Sequence, residues 1–425
     1  MRLRSFAWLS PVALAFTLGA QEPAPGVRIG LTYAPGTRPG VYVLPLRGVG
    51  ADSVRAIVSR DLDYGDRIAV IAPDSGPVPS GALNYALFRR LGAAAVLQMT
   101  MPGDGSLQVA LHELVSSTVR NSQRFVLPQP ALGPAWRLAV HRVADEVEKW
   151  VTGQTGVAAS RILFVRGGTL WQVDSDGESA APVPGVGVAL GPAWHPGGQA
   201  VAWTELGDAG SRILMRDLGS GRTTVMSGRA AANLSPAFSP DGRQLAYASG
   251  DDGTDIMIRA VAGDAPPFAI TAGRGSTNAQ PTFSPDGRRV AFTTSRLGRN
   301  EVYIADSDGA SPELLTTSGF GDQLYRSDPA WSPDGRAVAF STQIEGRFQV
   351  ATIALRDRSV KQHTSEGINE DPSWAPDARH LVFTSNRGGS RQLWVLDTES
   401  GRTRQLTRGP AARMAAWGPR LAESR

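Results

Sequence analysis

The stretch PAWSPDGRAVAF, residues 329–340, recurs along the chain in recognisable copies. Aligned on it are PAWHPGGQAVAW at 192–203, PAFSPDGRQLAY at 236–247, PTFSPDGRRVAF at 281–292 and PSWAPDARHLVF at 372–383. Successive copies begin 43 to 48 residues apart. A repeat of this length, built from short apolar segments, is typical of a β-propeller in which each repeat forms one four-stranded blade.

Each copy contains a hairpin with its own turn. In Ser-Pro-Asp-Gly, proline supplies a fixed φ at the second turn position and glycine allows a positive φ at the fourth, so that one strand reverses into the next. The apolar run after the turn, such as AVAF, is typical of a central strand covered on both faces. A further apolar run, such as VYIADS, and a weaker one, such as PELLT, complete the repeat. The sequence therefore predicts four strands per blade and a structural role for the turns.

The two ends of the repeat array are incomplete in complementary ways. Residues 161–184 contain the later strands of a blade without a first strand, whereas MAAWGP at 414–419 supplies a first strand without later ones. Together with the five copies, these segments predict six blades. The C-terminal strand would complete the blade that opens near Arg161, and this closure would remove two exposed sheet edges.

Residues before the repeats follow a different pattern. Residues 27–155 alternate strand-like runs, such as VYVLPL and AAVLQMTM, with amphipathic helical runs that include a long helix at about 134–151. They predict a small mixed α/β domain. The predicted fold class is an N-terminal mixed α/β domain followed by an all-β six-bladed β-propeller at 160–420, closed by the C-terminal strand.

The N-terminus and the composition limit the classes of function that the protein can have. Residues 1–20 combine two arginines with a short apolar run, the pattern of a secretory signal peptide, which predicts an exported protein. No later run reaches the ~20 apolar residues needed to span a bilayer, so we expect no membrane insertion. The chain has no cysteine, and its 43 basic and 39 acidic residues are interspersed, which favours a solvated surface over nucleic-acid binding. We expect a monomer without a cofactor.

Three stretches in this order resemble the TolB family, the periplasmic components of the Tol–Pal cell-envelope system. VRIGLTYAPGTRPGVYVLPLRG at 27–48 is similar to the opening strands of the family's N-terminal domain, and LGAAAVLQMTMPGDGSLQVALHEL at 91–114 is similar to its hairpin region. ADEVEKWVTGQTGVAASRILFV at 144–165 is similar to the junction into the first blade. This junction is the most specific of the three, because many propellers share the repeat alone.

The resemblance implies a non-catalytic docking protein that links the outer-membrane lipoprotein Pal to inner-membrane TolA, for envelope integrity, outer-membrane constriction during cell division and protein import. In a propeller, the connections into the innermost strands and the loops between second and third strands emerge on one face around the channel mouth. Here these loops are polar, as at a docking rim, or as in ordinary solvated loops. The predicted contacts with Pal are Asn233, Asn278, Gln280, Arg326, Asp328, Glu370, Asp371, Arg387 and Arg413. The N-terminal segment with Val27 and Arg28 is the predicted contact with TolA.

The alternative function is a periplasmic propeller enzyme, peptidase-related or polysaccharide lyase-like. Such an enzyme needs a nucleophile or a metal, and the sequence has no GxSxG motif. The five histidines show no ligand spacing and are expected not to converge; they are His112, His141, His195, His363 and His380. VDSDGE at 173–178 and ADSDGA at 305–310 resemble parts of a calcium loop, but each lacks the later bidentate glutamate and stands where a hairpin turn is needed. We therefore predict no catalytic or metal-binding residues.

Overall fold

The computed structural model describes residues 38–73, 81–208, 210–227, 231–272, 275–316 and 325–421. The predicted signal peptide and the segment with Val27 and Arg28 lie outside these residues. Within them, the chain forms one five-stranded sheet with helices and then six four-stranded sheets. The predicted fold class is therefore confirmed, while the boundaries 27–155 and 160–420 stay a prediction. Among the residues described, no helix is both long and apolar enough to cross a membrane.

The N-terminal unit is built on one mixed sheet. Its strands are β1 (Gly40–Val43), β2 (Ala69–Ile71), β3 (Ala95–Thr100), β4 (Ser106–Glu113) and β5 (Thr118–Val126). Its helices are α1 (Ala51–Tyr64), α2 (Tyr85–Arg90) and α3 (Pro134–Thr152). The strand order is β2-β1-β3-β4-β5, in which β1 pairs in parallel with β2 and β3 and the remaining pairs are antiparallel.

Helix α3 shows why the local sequence folds as predicted. Pro134 stands in its first turn, where the missing N–H costs no hydrogen bond. Gly153 ends the helix in the left-handed region, with φ of 79°, and donates its N–H to the carbonyl of Lys149. The apolar side of α3, with Val143 and Val147 fully buried, packs with α1 against one face of the sheet.

Six blades follow, and each has four antiparallel strands. From the innermost strand outward, blade 1 contains β29 (Ala412–Arg420), β6 (Ser160–Arg166), β7 (Thr169–Asp174) and β8 (Ala181–Pro182). Blade 2 contains β9 (Leu190–Trp194), β10 (Ala200–Gly207), β11 (Gly210–Asp217) and β12 (Thr223–Val225). Blade 3 contains β13 (Ala232–Phe238), β14 (Gln244–Gly250), β15 (Asp255–Ala260) and β16 (Phe268–Ala269).

The other three blades repeat this pattern. Blade 4 contains β17 (Asn278–Phe283), β18 (Arg289–Thr294), β19 (Glu301–Asp306) and β20 (Glu313–Leu314). Blade 5 contains β21 (Arg326–Trp331), β22 (Ala337–Ile344), β23 (Arg347–Ala354) and β24 (Val360–Gln362). Blade 6 contains β25 (Asn369–Trp374), β26 (His380–Ser385), β27 (Gln392–Asp397) and β28 (Thr403–Gln405). The outermost strands are the shortest, in keeping with their weak apolar pattern.

The C-terminal strand closes the ring, as predicted. Strand β29 pairs with β6 in a register that runs from Ala412 opposite Arg166 to Arg420 opposite Ser160. Trp417 is buried and donates its indole N–H to the Ser160 hydroxyl at 2.8 Å. Each innermost strand contacts the innermost strand of the next blade, and β29 contacts β9 in the same way. The last strand in the sequence is thus the first strand of blade 1.

The Ser-Pro-Asp-Gly turns are held by their own side chains. In blade 3, the Ser239 hydroxyl donates to the Asp241 carboxylate at 2.6 Å, and the N–H of Gly242 donates to the Ser239 carbonyl. This hydroxyl bond lowers the pKa of Asp241. The same bonds recur in the turns that begin at Ser284 and Ser332. The serine, aspartate and glycine that recur in the repeat therefore build the hairpin, as the sequence predicts.

The turn in blade 6 departs from this pattern at two positions. Ala375 replaces the serine, so Asp377 lacks the hydroxyl partner that the other turns provide. Asp377 instead faces the imidazole of His380 at 2.8 Å and the guanidinium of Arg67, in the N-terminal unit, at 3.2 Å. Ala378 replaces the glycine and adopts a φ of 56°, in the left-handed region that disfavours a side chain.

We expect Ala378→Gly to raise the free energy of unfolding by about 1 kcal/mol, because glycine takes this conformation without strain. The matched control is Gly335→Ala in the turn of blade 5, where φ is 74° and an added Cβ would come no nearer than 3.8 Å to Pro285. It should lower stability by a similar amount through conformation alone. Chemical denaturation measures both variants. If Gly335→Ala lowers the free energy of unfolding but Ala378→Gly does not raise it, Ala378 is not strained in its turn.

Candidate functional site

The N-terminal unit occupies one of the two faces of the ring. In every blade, the turns between strands one and two and between strands three and four lie on the same face, which we call the turn face. Contacts across the two units are made there: Arg402 pairs with Asp63 at 2.6 Å, and Arg142 donates to the carbonyl of Leu421 at 3.2 Å. The predicted docking loops lie on the opposite face, which we call the loop face.

Three of the predicted loop-face residues are buried. Asn233 and Asn278 are fully buried, and their side-chain amides donate to backbone carbonyls within the propeller at 2.8 and 2.9 Å. Arg326 is 8% exposed and pairs with the buried carboxylate of Glu301 at 2.9 Å. These side chains hold the loops in place and present no surface to a partner, so we leave them out of the contact set.

The innermost strands share one bulged position around the channel. At this position the backbone has a positive φ of 50 to 56°, and the register with the second strand shifts in all six blades. The residues are Gly191, Ser235, Gln280, Asp328, Asp371 and Met414. Side chains link these positions from blade to blade. For example, the N–H of Asp328 donates to the Gln280 side chain at 3.1 Å. The six non-regular backbone positions therefore lie at equivalent places in the six blades and form a ring around the channel.

Acidic side chains are concentrated where blades 5 and 6 meet this ring. Burial, together with the charge of neighbouring Asp371, raises the pKa of Asp328 to about 7. Burial also raises the pKa of Asp371, and burial with the charge of Asp371 raises that of Glu370. Glu370 is partly balanced by Arg391 at 3.2 Å. The channel mouth is therefore less negative near neutral pH than its sequence indicates.

The other two predicted loop-face arginines differ in their environment. Arg387 is partly buried, donates to the side chain of Asn369 at 3.0 Å and lies over the rings of Phe383 and Trp394. It therefore braces blade 6. Arg413 is exposed on the loop face, at the start of β29, and remains available to a partner.

Sequence analysis missed the apolar groups on the loop face. Leu206, Leu297 and Tyr325 are 49%, 54% and 46% exposed, respectively. A backbone bond from Arg326 to the carbonyl of Asn300 brings the segment that starts at Tyr325 next to the loop that carries Leu297. A large apolar residue inside a polar loop, as in TSRLGRN, was the available signal.

Two buried histidines lie in the seam between the N-terminal unit and the turn face. His141 of α3 pairs with Asp61 of α1 at 2.6 Å and faces Asp176, in the turn between β7 and β8, at 3.8 Å. His380 of blade 6 pairs with Asp377 at 2.8 Å and faces Asp66 at 3.5 Å. Each of these two groups contains one histidine among carboxylates.

The carboxylates around both histidines are already paired with arginines. Asp176 accepts from Arg60 and, at 2.8 Å, from Arg137. Asp397, beside His380, accepts from Arg379 at 2.6 and 2.9 Å. A divalent cation would have to displace these guanidinium groups, so the donor sets suit ion-pair clusters better than metal sites.

The VDSDGE and ADSDGA segments form hairpin turns, as predicted. The N–H of Gly177 donates to the carbonyl of Asp174, and the N–H of Gly309 donates to that of Asp306. In the first turn, Asp176 is buried in the seam, whereas the corresponding Asp308 is exposed. One sequence pattern thus serves two different environments.

The junction between the two units is fastened by one carboxylate. Asp145 of α3 accepts from the backbone N–H groups of Ala158 and Ala159 at 2.7 and 2.9 Å. Burial raises the pKa of Asp145 to about 7. A Cβ at Gly156 would collide with this carboxylate, which explains the glycine in the junction.

Comparisons with known proteins agree with this architecture. A family model described as the TolB beta propeller domain matches residues 148–421. The Tol-Pal system protein TolB of Polaromonas naphthalenivorans (strain CJ2) is 29% identical over 229 residues, 48% of this chain and 48% of the relative. The same-named protein of Albidiferax ferrireducens is 28% identical over 225 residues, 48% of this chain and 49% of that one. The chain therefore spans about half the length of the curated relatives it matches.

A solved structure extends the likeness in fold to nearly the whole chain. The crystal structure of TolB from Acinetobacter baumannii matches with a TM-score of 0.77, covering 91% of this chain and 98% of that chain. The sequences are 22% identical, so this likeness concerns the fold alone.

Proposed function

The chain belongs to the TolB β-propeller family, and from this premise we propose that it is a non-catalytic docking protein of a Tol–Pal system in the periplasm. Its propeller binds a Pal-like peptidoglycan-associated lipoprotein through the loop face. Its N-terminal unit engages a TolA-like inner-membrane protein. Its role in the cell is envelope integrity, outer-membrane constriction during division and protein import.

The loop face is the observation that carries this proposal. It lies opposite the N-terminal unit and combines half-exposed Leu297 and Tyr325 with charged Glu370 and Arg413 around the channel mouth. Interfaces commonly have an apolar or aromatic centre within a polar rim. The proposed contact set is therefore Gln280, Asp328, Glu370, Asp371, Arg413, Leu206, Leu297 and Tyr325, with Arg387 as a brace behind it.

The TolA side of the proposal rests on the resemblance of the N-terminal segment. Val27 and Arg28 are its proposed contacts. The described part of the N-terminal unit sits on the turn face, opposite the loop face.

The seam favours docking over the enzyme alternative. Among the histidines, His141 and His380 come closest to a catalytic arrangement, because each has a carboxylate partner. Both are 1% exposed. A substrate could reach neither imidazole without separation of the two units.

We expect Tyr325→Ala and Arg413→Glu each to weaken binding to the periplasmic part of the organism's own Pal-like lipoprotein. For Tyr325→Ala the loss of affinity should be about tenfold or more. An aromatic side chain that becomes buried in an interface contributes more than about 1 kcal/mol to the binding free energy. Isothermal titration calorimetry measures the dissociation constants.

The matched control is Arg336→Glu, the same charge reversal at an exposed turn-face arginine of blade 5. It should bind like the unchanged protein. If Tyr325→Ala and Arg413→Glu also bind like the control, the loop face is not the docking surface. If the unchanged protein does not bind the lipoprotein, the proposed function itself fails.

A further inference from the structure

Both nitrogens of each seam histidine face carboxylate oxygens. For His141, Nδ1 lies 2.6 Å from the Asp61 carboxylate, while Nε2 lies 3.9 and 3.8 Å from those of Asp174 and Asp176. His141 and Asp61 belong to the N-terminal unit, whereas Asp174 and Asp176 belong to blade 1. The imidazole therefore spans the seam.

His380 makes the same arrangement from the opposite side. Its Nδ1 lies 2.8 Å from Asp377, in its own blade, and its Nε2 lies 3.5 Å from Asp66, in the N-terminal unit. Both histidines are 1% exposed. The two rings thus cross the seam in opposite directions, and each is contributed by a different unit.

This geometry determines the charge of the rings. A neutral imidazole has one N–H donor and one lone pair. With carboxylate oxygens on both sides, the lone pair would point at negative charge, whereas the imidazolium forms a hydrogen bond at Nδ1 and a favourable charge contact at Nε2. The surrounding protein therefore favours the protonated form of each ring.

The remaining charged groups do not reverse this preference. Around His141 lie the carboxylates of Asp61, Asp174, Asp176 and Glu178 and the guanidinium groups of Arg60, Arg137 and Arg161. The carboxylates nearest His380 belong to Asp66, Asp377 and Asp397, with Asp63, Glu148 and Glu399 beyond them. Arg38, Arg67, Arg379 and Arg402 pair with these acids, and Arg404 lies over the Tyr64 ring between the clusters. The charged groups that pair with the ring nitrogens themselves are carboxylates.

We propose that His141 and His380 are imidazolium bridges that hold the N-terminal unit on the turn face, so that the loss of their protons releases the seam. The arrangement is a proton-dependent latch between the two units. It does not depend on the identity of any binding partner.

The expected titration agrees with this role. Burial alone would lower the pKa of His380, but the hydrogen bond with Asp377 and the interaction with Asp66 outweigh it and raise the pKa to about 9. For His141, burial is likewise outweighed by the charge of and hydrogen bond with Asp61, and the pKa is raised. A histidine with a raised folded-state pKa stabilises the closed form fully below its ordinary pKa of about 6.5 and loses that stabilisation as the pH rises through the folded value. The latch is therefore closed at neutral pH and weakens toward pH 9.

Hydrogen exchange of the full chain tests the proposal. The protection factors of residues 152–160, at the junction, are compared with those of β22, which lies in blade 5 away from the seam. We expect the junction to lose at least about tenfold protection between pH 7.5 and 9.5 while β22 keeps its own. Asp145, whose pKa is about 7, is ionised through most of this window and adds little to the change.

The variant His380→Gln should have lower junction protection already at pH 7.5 and a smaller further loss up to pH 9.5, because only His141 then remains to lose its proton. His195→Gln, in blade 2, should behave like the unchanged protein. Should His380→Gln fail to fold, titration of the imidazole signals of the unchanged protein by NMR decides the matter. Junction protection that stays constant to pH 9.5, or a His380 titration midpoint at or below 6.5, overturns the proposal.

Discussion

A chain that ends at Ala411, without β29, is expected to lose the cooperative unfolding transition of the propeller. Strand β29 supplies the innermost strand of blade 1, and without it the inner edge of β6 is exposed. Trp417 and Ala412 are also removed from a core that contains Ile162 and Phe164. Replacing one buried tryptophan by alanine already costs about 3–5 kcal/mol, while whole domains are stable by only about 5–15 kcal/mol. The loss of the strand therefore exceeds what the ring can tolerate.

Thermal unfolding followed by circular dichroism measures this effect. A chain that ends at Leu421 keeps β29 and should unfold like the full chain. The substitution Trp417→Ala provides an intermediate case, with an expected loss of about 3–5 kcal/mol because the core contact and the bond to Ser160 both disappear. A chain ending at Ala411 that unfolds with the transition of the full protein would show that closure by β29 does not support the ring.

The substitution Asp176→Ala should lower the free energy of unfolding by about 3 kcal/mol. The side chain of Asp176 is fully buried and accepts from Arg60 and Arg137 across the seam. Removal of one partner from a buried ion pair leaves the other charges without compensation, at a cost of about 3–5 kcal/mol. We expect the lower end of this range, because Arg60 keeps 28% of its side chain exposed to water.

The chain contains a matched control for this substitution in blade 4. Asp308 occupies the same position in the ADSDGA turn and accepts from the backbone of Ala310 at 2.9 Å, as Asp176 accepts from Glu178 at 2.9 Å. Asp308→Ala therefore removes the turn bond without a seam contact and should cost less than about 1 kcal/mol. Urea denaturation compares the two variants. Equal losses would mean that the turn, and not the seam, accounts for the effect of Asp176.

The propeller could be predicted from the sequence because its information is local. Each copy of the repeat carries its own turn, its own apolar run and a fixed spacing, so that blade number and closure follow from an alignment of the chain with itself. The helices of the N-terminal unit were predictable for the same reason: α3 shows its period, Pro134 at its start and Gly153 at its end.

The seam could not be predicted, because it depends on how two units meet. Asp176 and Asp308 stand in nearly identical segments, and only the position of the N-terminal unit makes one buried and the other exposed. A partial signal was present in the repeat of blade 6. Ala375 replaces the serine that otherwise holds the turn aspartate, and Asp377 is used across the seam instead. The missed apolar groups of the loop face likewise became evident only through their exposure.

The position of β29 also has a consequence for biosynthesis. Because β29 follows β6 only after the strands of the other five blades, blade 1 remains incomplete on a growing polypeptide until residues 412–420 have emerged. During that interval the inner edge of β6 has no partner strand, so the ring cannot close until β29 is available.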